Sequence, residues 1–270
     1  MKAYGITGAA PEAADPALAL AVEELARNGF TILANVLSPP QVTAMREALD
    51  RAVAAQTARF GGEARLAAIG ESGQARALLE EEPVFLDILR STQLDAVVTA
   101  LLGTAALVMQ QNGIVMPPEG AEHHQQSWHR DLPYQAWVCT KPIALGALTV
   151  LDDFTAESGA TLFLPGSQAH ADFPSTAFAA RWAMPAYAPA GAIVVFDAMC
   201  FHRGGVNRGH AARRAVNTLY GVPLLAQQVV FTPKPDLEPA LARRLGLEYQ
   251  ASVSVDTWRE RRAARLGVPR

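Results

Sequence analysis

The chain has 270 residues, half of them apolar and 18% charged, which excludes a disordered chain. A formal net charge of −3 argues against holding nucleic acid by overall charge, and two cysteines, Cys139 and Cys200, cannot make a disulfide scaffold. No apolar run approaches the roughly 20 residues that span a bilayer, and Pro11, Glu12 and Asp15 interrupt any signal-like core, so the expectation is a cytoplasmic protein that does not enter a membrane.

Leu18, Val22 and Leu25 recur at helical spacing after Asp15-Pro16, a cap and first turn, and Gly29 stops that helix. Phe30-Thr31-Ile32-Leu33 reads as a short strand. Ser38-Pro39-Pro40 opens a second helix with Val42, Met45, Leu49 and Val53 on one face. Residues 61–80 carry weak signals and read as a mobile surface stretch. Residues 85–102 read as two short helices split at Ser91-Thr92 and ended by Gly103.

The period then becomes strand-like. Residues 107–116 form a strand closed by Pro117-Pro118, and β-type runs follow over 127–134, 143–151, 160–164, 192–196 and 215–222. Gly/Pro turns separate them, which argues for a sandwich or barrel rather than alternating β/α units. The last 35 residues return to helix, around 237–245 and 255–266. The expected organisation is one domain over 1–270: a mainly helical part over 1–104, a β core over 105–231 and C-terminal helices over 232–270.

Within Trp128-His129-Arg130-Asp131, an extended backbone points His129 and Asp131 to the same side. His202, after the apolar run 193–196, is the best candidate for a third ligand. Two histidines and one carboxylate leave open positions on an octahedral metal and suit non-haem Fe(II). Arg213 follows His202 by 11 residues. That spacing lets the chain leave the metal, turn at Gly204-Gly205 and Asn207, and return with a guanidinium facing the iron. A dicarboxylic cosubstrate would chelate the metal at one end and meet the arginine at the other.

These residues carry a family resemblance. Asn28-Gly29-Phe30-Thr31-Ile32-Leu33, the HxD segment 128–131, Leu151-Asp152-Asp153-Phe154-Thr155, the turn from Gly159 to Pro165-Gly166-Ser167, and His202, Asn207 and Arg213 match in order. Over roughly residues 20–225 the chain resembles the phytanoyl-CoA dioxygenase family of Fe(II)/2-oxoglutarate oxygenases. The resemblance implies a mainly β fold with flanking helices and a double-stranded β-helix (jelly-roll, cupin-like) core. It implies His129, Asp131 and His202 as iron ligands, and Arg213 on the distal carboxylate of 2-oxoglutarate. Asn112 matches a position that contacts the cosubstrate, and O₂ is the co-oxidant. Ser158 stands where the family turn often has Asn, and Gln168 where it often has His, which puts the local turn geometry in doubt and not the chemistry.

The expected reaction is hydroxylation of an unactivated C–H bond of a small-molecule metabolite or natural-product intermediate, with release of succinate and CO₂. Gln126, Trp128, Tyr134 and Gln135 are the expected substrate edge, and no Lys or Arg cluster beside them suggests a CoA phosphate site. The alternatives are a non-catalytic cupin-like metal-binding protein, which has no need of Arg213, and a same-fold oxygenase doing desaturation, epimerisation or halogenation. Asp131 argues against the last, because a halogenase needs a small residue there. His129-Arg130-Asp131-Leu132 also spells the start of a kinase catalytic loop, but Ala136 stands where that loop needs Asn. His123, His124 and His210 read as solvated loop residues. Cys139 and Cys200 read as buried small apolar residues. The C-terminal arginines Arg259, Arg261, Arg262 and Arg265, interleaved with Asp256 and Glu260, read as a solvated helix face. The oligomeric state cannot be read.

Overall fold

The computed structural model describes residues 15–132, 138–234 and 236–268. Helix α1 (Pro16–Asn28) starts where the Asp15 carboxylate accepts the N–H groups of Ala17 and Leu18, both at 3.0 Å. It ends at Gly29, whose φ of +82° is the left-handed conformation that glycine adopts without strain. Strand β1 (Phe30–Leu33) follows. The Gln41 side chain accepts the Ser38 N–H at 3.0 Å and caps α2 (Pro39–Phe60), which buries Val42, Met45, Ala48, Leu49 and Ala52.

Residues 61–80 lie mostly at the surface over 61–70, as expected, but turn inward over 74–79. They form α3 (Glu63–Ala67), strand β2 (Gln74–Ala75) and the start of α4 (Leu78–Glu81), with Gln74, Ala75, Leu78 and Leu79 buried. Each piece is shorter than the window over which a period shows, so the sequence carries no helical or strand signal there. Helices α5 (Leu86–Leu89) and α6 (Thr92–Leu102) fall on either side of Ser91, which caps the second.

Strand β3 (Leu107–Met116) is followed by β4 (Ala144–Val150), β5 (Leu162–Phe163), α7 (Thr176–Trp182), β6 (Met184–Pro185), β7 (Ile193–Asp197), β8 (His202–Arg203) and β9 (Arg213–Gly221). Two short helices, α8 (Pro239–Arg244) and α9 (Val255–Arg265), complete the chain. Helix α7, capped by the Ser175 side chain, has no counterpart among the expected elements. Of the strand expected over 127–134, the described part, 127–132, is reduced to a single bridge, His129 with His202, and 133–134 lie outside the described residues. The ladder stops there because the Asp131 N–H turns to the Ala198 carbonyl at 3.1 Å.

The strands form two antiparallel sheets, ordered β1-β7-β4-β9-β3-β2 and β6-β5-β8. Alternation assigns each face of the larger sheet a partner. Leu145, Ala147, Ile193, Val195, Val216 and Tyr220 pack against α1, α2, α4 and α6. Leu148, Val150, Val194, Phe196 and Ala215 point the other way and meet Phe163 and Ala160 of the smaller sheet and its approach. The Phe163 and Phe196 rings lie 5.3 Å apart between the sheets. Fully burying a side chain of that size contributes about 1.5–3 kcal/mol. The result is a helical layer, a sheet buried on both faces, and a smaller sheet, with His202 entering the space between the sheets.

Candidate metal centre

His202 lies on β8, in register with Phe163, and His129 bridges to it from the other side. Each residue donates its backbone N–H to the carbonyl of the other, both at 3.0 Å, and their ring centroids are 4.3 Å apart. Asp131 sits two residues further on, with Oδ1 3.6 Å from His202 Nε2. One ligand atom from each of His129, Asp131 and His202 lies within 4.8 Å of the others. The sequence-derived triad is therefore assembled.

The chemistry of this donor set fits a divalent metal. His129 Nδ1 donates to the Ser127 carbonyl at 2.8 Å, and His202 Nδ1 donates to the Cys200 carbonyl at 3.0 Å, because a carbonyl can only accept. Both Nε2 lone pairs are thereby left for a metal. Burial pushes the His202 imidazole to about 4, partly opposed by the Asp131 charge, so it is in the neutral form that ligation requires.

Arg213, the first residue of β9, is 3% exposed. Its Nη1 donates to the Gly159 carbonyl at 2.6 Å, its guanidinium lies 4.3 Å from the Phe154 ring centroid, and its Nε has no hydrogen-bond partner among the described residues. Gly159 can approach because it packs backbone to backbone on Gly205; a Cβ on Gly205 would lie 2.5 Å from the Ala160 carbonyl oxygen. Asn207 shapes the intervening turn, donating to the Ala211 carbonyl at 2.8 Å and accepting the Gly209 N–H at 3.1 Å. Burial lowers the Arg213 pKa to about 10, so it is a buried cation at neutral pH. A single cavity is lined by both His202 and Arg213, with Thr161, Gln125, Phe196 and Asn217. A buried guanidinium with an open donor at the far end of a metal-side cavity fits a carboxylate. Arg214 faces the opposite way and pairs with Asp50 at 2.7 Å and Asp152 at 3.2 Å.

Asn112 lies on β3 opposite Asn217 in the register, and its amide meets the Gln110 side chain at 2.7 Å. With its oxygen turned outward it also accepts from Arg76 Nη1 at 2.8 Å. Gln126 is half-buried and donates to the Ala121 carbonyl at 3.2 Å. Trp128 packs with Leu164, Ala179 and Phe201, and Arg203 lies 5.3 Å from its ring centroid. Tyr134 and Gln135 lie outside the described residues. Ser158 and Gln168 stay in their turns, where Gln168 donates to the Ala26 carbonyl at 3.2 Å.

His123 is not a solvated loop residue. It is 9% exposed, with Gly73 packed near its Nε2 and Nδ1 accepting the Gln125 N–H at 3.2 Å. Burial pushes its imidazole down to about 4, with the nearby His124 acting in the same direction. Asn217, Thr161 and Gln125 were not singled out from the sequence. Asn217 donates from Nδ2 to Asp131 Oδ2 at 3.1 Å.

Antiparallel sheets that assemble a 2-His-1-carboxylate face, with its His202 and a buried arginine lining one cavity, define the site of a non-haem iron oxygenase. The chain belongs to the phytanoyl-CoA dioxygenase (PhyH) family, whose sequence model matches residues 25–215. It is a 2-oxoglutarate-dependent iron oxygenase that uses Fe(II), 2-oxoglutarate and O₂. An uncharacterized protein of Mycobacterium tuberculosis, Rv1501, is 29% identical over 206 residues, which is 74% of each chain. Among solved structures, the fold is similar to that of SnoK, a non-heme alpha-ketoglutarate-dependent carbocyclase from nogalamycin biosynthesis. That match has a TM-score of 0.59 and 20% identity over 76% of this chain and 83% of that one. It is also similar to the non-heme monooxygenase ThoJ, with a TM-score of 0.62 and 20% identity over 77% of this chain and 79% of that one. No helix among the described residues is long and apolar enough to cross a membrane.

Proposed function

We propose that this protein hydroxylates an unactivated C–H bond of a small-molecule metabolite or natural-product intermediate. The observation that carries the reading is the shared cavity, with His202 at one end and the cationic Arg213 at the other. His129, Asp131 and His202 would hold Fe(II) on one face. Arg213 would hold the distal carboxylate of 2-oxoglutarate, and Asn112 would contact the cosubstrate from β3. When bound, iron and 2-oxoglutarate supply the oxidising power, coupling loss of CO₂ and formation of succinate to oxidation of the substrate. The chain's own part is to fix the ligand set, exclude bulk water from the inter-sheet space, and decide which C–H bond is presented. Phe163 and Phe196, whose rings lie 5.5 and 4.6 Å from His202, supply the dry wall on that side.

The two sheets are the expected walls of a double-stranded β-helix, and the likeness to SnoK and ThoJ supports that reading. SnoK, a carbocyclase from nogalamycin biosynthesis, supports a natural-product type of substrate, and its difference from the monooxygenase ThoJ leaves the outcome to substrate placement. Asp131 supports hydroxylation over halogenation, since its carboxylate occupies the position a halide would need. Gln126, Trp128, Tyr134 and Gln135 stay proposed as the substrate edge. The test is succinate release by the Fe(II)-loaded protein challenged with fractionated metabolite pools. Mass spectrometry then looks for a product heavier by one oxygen. Succinate release with a product that has gained no oxygen would favour desaturation or epimerisation instead.

A further inference from the structure

We propose that Asn217 is a positioning residue for the metal-ligand carboxylate, holding Asp131 so that Oδ1 alone is offered to the metal. Alternation along β9 turns Asn217 to the same face as Ala215, away from Val216 and Tyr220, which pack on the helices. There it stands in register with Leu148 on β4 and lines the cavity shared by His202 and Arg213. Its Nδ2 donates to Asp131 Oδ2 at 3.1 Å, while the other carboxylate oxygen, Oδ1, is the one 3.6 Å from His202 Nε2. The amide orientation follows from chemistry, because an ionised carboxylate only accepts and must face the NH₂ group. The two oxygens of Asp131 are thereby made unequal.

Fold stability does not explain this amide. Asn217 Oδ1 is buried and has no hydrogen-bond partner among the described residues, which is unfavourable inside a sheet. An aliphatic residue would satisfy the sheet better. Among the described residues, the one hydrogen bond of the side chain is that to Asp131, so the polar group serves the carboxylate. A carboxylate that binds a metal through one oxygen leaves more positions open than one that binds through both. Partners of this kind typically change metal affinity or activity by about 10- to 100-fold when removed.

The inference rests on the proposal that the triad holds a divalent metal, and Co(II) tests both separately. Wild type is expected to bind one Co(II) per chain with the weak d–d absorption of a five- or six-coordinate ion. Failure here overturns the metal reading, and the role of Asn217 with it. Asn217→Leu, which keeps the volume and removes the donor, is expected to weaken Co(II) by about 10- to 100-fold and to alter the d–d bands as Asp131 Oδ2 is freed. Asn217→Ala is the second variant and should shift the same two readouts. Val194→Ala, a truncation buried on the same face of the sheet but outside the cavity lining, should leave both unchanged. Metal-free Asn217→Leu should unfold at or above the wild-type temperature. Wild-type affinity and spectrum in both Asn217 variants would overturn the proposal. So would an equal loss in Val194→Ala, which would make the effect one of packing, or loss of the folded state in both metal-free Asn217 variants.

Discussion

His129 and His202 exchange both backbone hydrogen bonds at 3.0 Å, so the two imidazoles are set side by side by a β-bridge and not by their side chains. Replacing either imidazole leaves the bridge intact. His129→Ala and His202→Ala should each abolish stoichiometric Fe(II) binding and turnover while the far-UV circular dichroism is retained. Anaerobic Fe(II) titration decides it, and unchanged affinity in both variants would refute the ligand assignment.

Arg213 and Arg214 are adjacent but face opposite sides of β9, one buried toward the cavity and one paired with Asp50 and Asp152. Arg213→Ala should weaken 2-oxoglutarate at least about a hundredfold, about 2.7 kcal/mol, with Fe(II) binding retained. Arg214→Ala should leave the cosubstrate affinity nearly unchanged and lower stability. Lys at position 213 should rescue in part, since a point charge replaces a planar fork. The absorption band of the anaerobic Fe(II)–2-oxoglutarate complex gives all three affinities, and a reversed order for Arg213 and Arg214 would contradict the assigned roles.

The parts of this site that are legible in the sequence are those encoded by short spacing. His129 and Asp131 are two apart on one extended segment, and Arg213 follows His202 across one turn. The caps at Asp15 and Ser38 are equally local. Asn217 is not legible, because its partner Asp131 is 86 residues away and nothing near it in the chain marks an amide among Val216, Thr218 and Leu219. His123 misleads for the opposite reason. Its neighbours Glu122, Gln125 and Gln126 read as solvated, whereas Gly73, far earlier in the chain, closes over the imidazole. Within residues 61–80 the buried side chains Leu66, Gln74, Ala75, Leu78 and Leu79 are scattered among exposed ones, which leaves no period to detect.

Asp197 is 7% exposed, and burial raises its carboxyl to about 6, opposed by the Met199 N–H and Arg130. The native state therefore keeps a proton that the unfolded chain has released. Its stabilising effect is present below about pH 4, declines as pH rises, and is gone above about 6. Asp197→Asn keeps an oxygen for the Met199 N–H, which bonds Oδ1 at 2.9 Å, and removes the buried charge. The variant should gain up to roughly 3 kcal/mol over wild type at pH 8, and the gain should vanish toward pH 4. Urea unfolding at several pH values measures it. A difference that does not depend on pH would mean that the carboxyl does not titrate in this window.

Arg130 lies between the ligands His129 and Asp131 yet points away from the metal into a nest of carbonyls. Its guanidinium donates to Met199 at 2.8 Å, Ala171 at 2.7 Å, Ser167 at 3.3 Å and also His170, and it lies 3.8 Å from the Phe201 ring centroid. One buried cation thus ties the ligand segment to the 167–171 turn and to the residue three before His202. Arg130→Met keeps the apolar stem but strands several buried acceptors, each costing about 1–3 kcal/mol, so the loss should reach roughly 3 kcal/mol or more. Lys at 130 should recover less than half, because one ammonium cannot reach four carbonyls fixed around a planar fork. Both variants should also weaken Fe(II), since the backbone that carries His129 and Asp131 loses its anchor. The measurements are urea midpoints at constant m-value and anaerobic Fe(II) titration of the same samples. Arg130→Met within about 1 kcal/mol of wild type would show that water takes over the carbonyls and that the bridge to His202 alone holds the ligand segment.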